Sequence, residues 1–119
     1  MVDYLFRVPK FPILIESDTL TLGASSRTEV NEVLKKGKFG IKDSYVVVDA
    51  TAEGWSYLLS YQTISPLTLR KRFSKKEIVQ LVNIGMTRNG QDEQYVCRSL
   101  SNRRLEQIVG ELTKYCKQL

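Results

Sequence analysis

The 119-residue chain carries 18 Lys+Arg against 13 Asp+Glu, a formal net charge of +5, and contains no histidine. Its 42% hydrophobic content with 7 Gly and 3 Pro is that of an ordinary globular domain and excludes a disordered or collagen-like chain. Without histidine there is no Ser-His-Asp or Cys-His arrangement and no Cys/His zinc site, and two cysteines are too few for a four-Cys zinc site or a disulfide framework.

Taken in chain order, Val2, Tyr4, Phe6 and Val8 alternate with Asp3 and Arg7. That period of two predicts a strand. Pro9 and Pro12 interrupt it, so Phe11 to Ile15 reads as a second short strand or an edge piece. Leu20 and Leu22 about Thr21 suggest a third. Ser26 and Glu29 have capping-box spacing, Val30, Val33 and Leu34 form an apolar stripe, and Gly37 is a stop. A helix over Arg27–Lys36 follows from these signals. Tyr45 to Asp49 is a β-branched run and predicts a central strand. Trp55 to Gln62 predicts another, with Trp55, Tyr57, Leu59 and Tyr61 on one face. Ser65-Pro66 marks a turn or bulge, after which Leu67 and Leu69 lead into Arg70-Lys71-Arg72 as part of an antiparallel meander.

Ser74 and Glu77 repeat the capping box and open a second helix, with Ile78, Leu81 and Val82 on one side and Gly85 as its end. Asn89-Gly90 is a turn, and Gln94 to Ser99 reads as the last strand. A third helix starts at Ser101 or Asn102, with Leu105, Ile108, Val109, Leu112, Cys116 and Leu119 in an amphipathic stripe. These elements predict one α+β domain over residues 1–119. Its sheet is mostly antiparallel, of about five to six strands, with three helices packed on one face and an amphipathic helix at the C-terminus. A split βαβ arrangement of the middle of the chain is an alternative topology. No segment supplies the ~20 apolar residues of a membrane span. Met1 to Arg7 lacks the basic lead and apolar run of a secretory signal. A cytoplasmic protein with Cys97 and Cys116 as buried, reduced thiols is the expectation.

The charge is uneven. Residues 1–60 carry 7 basic and 8 acidic residues, and residues 61–119 carry 11 and 5. The densest stretch is Arg70-Lys71-Arg72-Phe73-Ser74-Lys75-Lys76. Lys75 and Lys76 fall in the first turn of the second helix, and Arg103 and Arg104 in the predicted first turn of the third. Cations at helix starts oppose the helix dipole. A bound phosphate or carboxylate resolves that conflict. Arg70, Lys71, Arg72, Lys75, Lys76, Arg103 and Arg104 are therefore the candidate anion-binding residues. The plainer reading is a solvated face partly neutralised by Glu77, Asp92, Glu93 and Glu106.

A second basic stretch holds Lys35, Lys36, Lys38 and Lys42. Within it, Gly37-Lys38-Phe39-Gly40 resembles the GXXG loop with which KH domains clamp a single-stranded backbone. Such a loop joins two helices, whereas a strand is expected to follow here. The plainer reading is a helix stop and a polar turn. Trp55 and Phe73 are the candidate stacking residues for a base. Alternating aromatics on a strand also pack as core.

Asp49, Glu53, Tyr57 and Arg72 are available for a histidine-free active site, but their spacing singles out no chemistry. The sequence thus predicts a non-catalytic binding module with no cofactor and no metal. Its partner is nucleic acid or an acidic protein surface. The alternative is a protein–protein assembly or regulatory subunit, as a homo-oligomer or otherwise, whose basic patch is only solvated.

Overall fold

A computed structural model describes residues 2–67, 71–88 and 104–117. The element order is β1 (Asp3–Tyr4), β2 (Ile13–Ile15), β3 (Leu22–Ala24), α1 (Arg27–Lys36), β4 (Ser44–Val48), β5 (Gly54–Leu58), a 3₁₀ turn (Leu59–Tyr61), β6 (Thr63–Pro66), α2 (Lys75–Arg88) and α3 (Leu105–Lys117). The six strands form one sheet in the order β1-β6-β5-β4-β2-β3. Every pairing is antiparallel except β1 with β6. The α+β class with a mostly antiparallel sheet and three helices is what the sequence predicts. The predicted strand over Gln94 to Ser99, the Asn89-Gly90 turn and Cys97 lie outside the described residues.

The helices cover both faces of the sheet, which corrects the expectation of one. On β4, Tyr45 and Val47 point to one face, and Val46 and Val48 to the other. On β2, Ile13 and Ile15 oppose Leu14 in the same way. A strand that is apolar on both sides needs a cover on both sides. The first face carries Leu14, Val48 and Ala52 under Ile78, Val82 and Met86 of α2 and Ile108, Leu112 and Cys116 of α3. The second carries Tyr45, Val47, Trp55, Tyr57 and Ile64 under Val30, Val33 and Leu34 of α1, with Val2, Tyr4 and Phe11 from the N-terminal segment.

Helix α1 has the predicted bounds. Ser26 Oγ accepts from the Glu29 N–H at 3.3 Å. Glu29 reaches one residue further back than a reciprocal box, to the Ser25 N–H at 2.7 Å. Lys117 pairs with the same carboxylate at 2.7 Å and ties the end of α3 to the start of α1. Helix α2 opens with the full reciprocal box, Ser74 N–H to Glu77 Oε1 at 3.0 Å and Glu77 N–H to Ser74 Oγ at 3.2 Å. It does not stop at Gly85 but continues to Arg88. Helix α3 starts at Leu105, later than Ser101 or Asn102.

Strand bounds also differ: β2 begins at Ile13 and not at Phe11, and β3 runs over Leu22–Ala24 and is not centred on Thr21. The first strand is two residues long because Phe6 takes a φ of 65° and turns the chain out of the ladder. The strand from Trp55 ends at Leu58. Leu59–Tyr61 forms a 3₁₀ turn closed by Gln62 at φ 47°, so Tyr61 is exposed and no longer shares a face with Trp55 and Tyr57. Pro66 is the last residue of β6, opposite Trp55, and not a turn.

Among the described residues, no helix is long and apolar enough to cross a membrane. Cys116 is a free, buried thiol, and burial pushes it up to about 12. In a Cys97→Ser variant, a thiol reagent at pH 8 is expected to react with Cys116 about 10³-fold more slowly than with the urea-unfolded chain. A native-state rate within tenfold of the unfolded one would contradict this burial.

Candidate anion-binding interface

The first basic cluster is built on the turn between β4 and β5. After Pro66 the chain leaves the ladder, and it rejoins the edge of β5 at Lys71–Phe73. The Gly54 N–H donates to Lys71 O at 2.7 Å, the Phe73 N–H donates to Ala52 O at 2.8 Å, and Arg72 pairs with Glu53. An unbroken ladder would put residue 68 opposite Glu53. From Lys71–Phe73 the chain leads into α2. Lys71, Arg72 and Lys76 are exposed, and Lys75 is half-buried. Lys75 and Lys76 do occupy the first turn of α2, as predicted.

Sheet order brings two further cations to this turn. Because β1 lies beside β6, Arg7 reaches across to Glu53, with Nη2 to Oε2 at 2.6 Å and Nη1 to Oε1 at 3.3 Å. Its guanidinium also lies 4.8 Å from the centre of the Trp55 ring. These hydrogen bonds, donated by Arg7 to the Glu53 carboxylate, raise the Arg7 pKa above its ordinary value. Because β2 lies beside β4, Lys10 also sits here, its carbonyl accepting from the Ala50 N–H at 2.8 Å. Sequence reasoning missed both, since nothing in residues 7 to 10 signals proximity to residues 71 to 76.

Acidic groups at this turn are engaged in its architecture. Asp49 is buried, and its Oδ1 accepts from the Thr51 N–H at 2.8 Å, the Thr51 hydroxyl at 2.6 Å and the Glu53 N–H at 3.1 Å. Its Oδ2 accepts from the Trp55 indole N–H at 3.1 Å. Glu53 holds Arg7. Glu77 takes the Ser74 cap and lies 3.6 Å from Lys71 Nζ. The hydrogen bond from the Ser74 N–H holds the Glu77 carboxyl below the usual carboxylate range, with Lys71 adding to the effect. The exposed cations Lys10, Arg72 and Lys76 also stand around the turn.

Several predicted site residues stand elsewhere or do other work. Arg70 and Arg103 lie outside the described residues. Arg104 is exposed but precedes α3 instead of lying in its first turn. Its carbonyl accepts from the Ile108 N–H, and its N–H donates to Gln107 Oε1, both at 3.1 Å. Trp55 cannot stack a base as predicted, because it is 1% exposed and belongs to the core. Phe73 is half-buried. Its ring packs over Gly54, where a Cβ would come within 2.8 Å of Cε2, and the Lys71 ammonium lies 4.6 Å from its centre. Tyr57 is buried against Phe39, edge to face, with ring centres 5.4 Å apart.

The second basic stretch lies at the other end of β4, so the two clusters do not converge. Lys35 and Lys36 close the last turn of α1, where cations suit the helix dipole. Lys38 is exposed. Lys42 pairs with Glu16 at 2.8 Å. The loop also lacks the geometry of a GXXG clamp. The Gly40 and Lys42 N–H groups donate inward to the Tyr45 hydroxyl at 2.9 and 3.1 Å, and the Ile41 N–H donates to Asp18 Oδ2 at 3.3 Å. The Tyr45 hydroxyl in turn donates to Asp18. Amides committed to the interior cannot grip a backbone outside. A cleft of about 430 Å³ between α1 and the start of β1 is lined by Val2, Asn31, Leu34, Lys35, Tyr57 and Gln62. It lies away from the first cluster.

No family model matches this sequence, and neither a curated protein nor a solved structure matches it.

Proposed function

We propose that the protein is a small, non-catalytic binding module for an anionic macromolecule, and that its partner is nucleic acid. The observation that carries this reading is the assembly around the β4–β5 turn. Lys10 joins Arg72 and Lys76 from a distant stretch of chain and all three are exposed there, while Asp49, Glu53 and Glu77 are engaged in hydrogen bonds and ion pairs. Phosphate contacts of this kind position a nucleic acid without reading its sequence. Arg104, exposed at the residue before α3, is retained as a further contact. Arg70 and Arg103 are retained from the sequence as further contacts. A cytoplasmic setting accords with the free, buried thiol of Cys116.

Fluorescence anisotropy with mixed-sequence oligonucleotides at low salt tests this. Affinity is expected to fall steeply with salt. The double variant Arg72→Glu, Lys76→Glu is expected to weaken binding by at least about tenfold and to lower the salt slope by about 1–2. Absence of binding at low salt would refute the reading. It would leave an acidic protein surface as the partner for the same cations.

A further inference from the structure

We infer that Phe6 is a stacking platform for an unpaired nucleobase, so that the interface takes single-stranded nucleic acid in preference to duplex; this rests on the nucleic-acid reading above. Phe6 has the most exposed large apolar side chain among the described residues, at 86%. It also has a φ of 65°, an outlier for a bulky side chain. The Arg7 N–H donates to Leu5 O at 2.7 Å around it, closing a three-residue turn with a positive-φ centre, which is the strained kind of γ-turn.

Both flanks of this turn are anchored. On one side the Leu5 N–H donates to Ile64 O at 3.0 Å and continues the β1–β6 pairing. On the other, Arg7 is held by both oxygens of Glu53 and by the face of Trp55. The ring between them packs into neither core cluster. A strained backbone that displays an aromatic ring to water gains nothing for folding, and such strain is concentrated at binding sites. The place of the turn supplies the ligand chemistry. Arg7 links to Glu53, and the backbone of Glu53 pairs with Arg72, so the turn that carries the ring adjoins the basic cluster. Cations that track phosphates beside an exposed aromatic face are the two components of single-strand binding. In a duplex the base faces are stacked on one another and closed to this ring. The stacking role given to Trp55 from sequence thus passes to Phe6.

The test compares wild type with Phe6→Ala and Phe6→Gly, using single-stranded and duplex oligonucleotides of about 12 nucleotides. Phe6→Ala is expected to weaken single-strand binding roughly 5- to 50-fold, with the salt slope and duplex affinity unchanged. Phe6→Gly is expected to lose the same affinity while raising the melting temperature by roughly 2–5 °C, because glycine accepts the positive φ. If wild type binds single strands and Phe6→Ala binds them equally well, the stacking role is overturned and the nucleic-acid reading stands. If wild type binds no oligonucleotide, both fall. A melting temperature lowered by Phe6→Gly removes the strain that supports the inference. Self-association that Phe6→Ala abolishes, with oligonucleotide affinity unchanged, overturns it in favour of a protein contact.

Discussion

Asp49→Ala is expected to cost about 3–5 kcal/mol of folding stability. The carboxylate is the hub of the β4–β5 turn, accepting from the Thr51 N–H and hydroxyl, the Glu53 N–H and the Trp55 indole N–H. Alanine leaves the indole and Glu53 donors buried without acceptors, at about 1–3 kcal/mol each, and this exceeds the net value of the bonds themselves. Asp49→Asn separates the contributions. Its oxygen can serve the Thr51 and Glu53 donors, but its amide nitrogen then faces the indole N–H, donor against donor. An intermediate loss of about 2–3 kcal/mol is expected. Urea unfolding followed by the fluorescence of Trp55, the one tryptophan of the chain, reads both variants. A loss below about 1 kcal/mol for alanine would show that the turn is held by something other than this carboxylate. The same turn carries the cations of the proposed interface, so Asp49→Asn is also expected to weaken oligonucleotide binding without removing any positive charge.

What could be read from the sequence was local, and what could not was set by sheet order. Helix α1 was legible because Ser26 and Glu29 cap it with side chains a few residues apart, and the start of α2 was legible from Ser74 and Glu77 for the same reason. Tyr45 to Val48 was legible as a strand from its β-branched run. The same run also implies cover on both faces, because four consecutive apolar residues alternate between them, and helices on one side alone do not supply it. Arg7 and Lys10 joined the basic cluster through the β1–β6 and β2–β4 pairings, which no residue near them announces. The Gly37-Lys38-Phe39-Gly40 spelling suggested a clamp. The direction of its amides depends on Tyr45 and Asp18, which arrive from β4 and from the stretch after β2. Trp55 illustrates the same limit, because an aromatic alternation gives the period of a strand but not which face the sheet buries.

Gly85 shows why a stop signal failed, and it yields a prediction of opposite signs for one substitution. In the sequence a glycine after an apolar stripe ends a helix, yet α2 runs on to Arg88. The glycine is required by packing instead. A Cβ at Gly85 would lie 2.7 Å from the Thr21 backbone nitrogen and 3.1 Å from Thr19 O. That segment has little room to retreat, because the Thr21 hydroxyl donates to Leu81 O in α2 at 3.0 Å. Gly→Ala in a helix interior ordinarily gains up to about 1 kcal/mol. At Gly85 the clash with backbone atoms outweighs this, and a net loss of about 1–3 kcal/mol is expected. Gly23 on β3 faces α3 in the same way, with a Cβ only 2.6 Å from Thr113 O, and Gly23→Ala is expected to lose a similar amount by lifting α3 from the sheet. Gly110, within α3, has nothing within 4 Å of its Cβ position. Gly110→Ala is therefore expected to gain about 0.5–1 kcal/mol. Urea midpoints of the three variants, at equal slopes, decide the matter. Equal gains at Gly85 and Gly110 would mean that α2 does not rest on the Thr19–Thr21 backbone. The seat of Lys75 and Lys76 at the rim of the β4–β5 turn would then need another support.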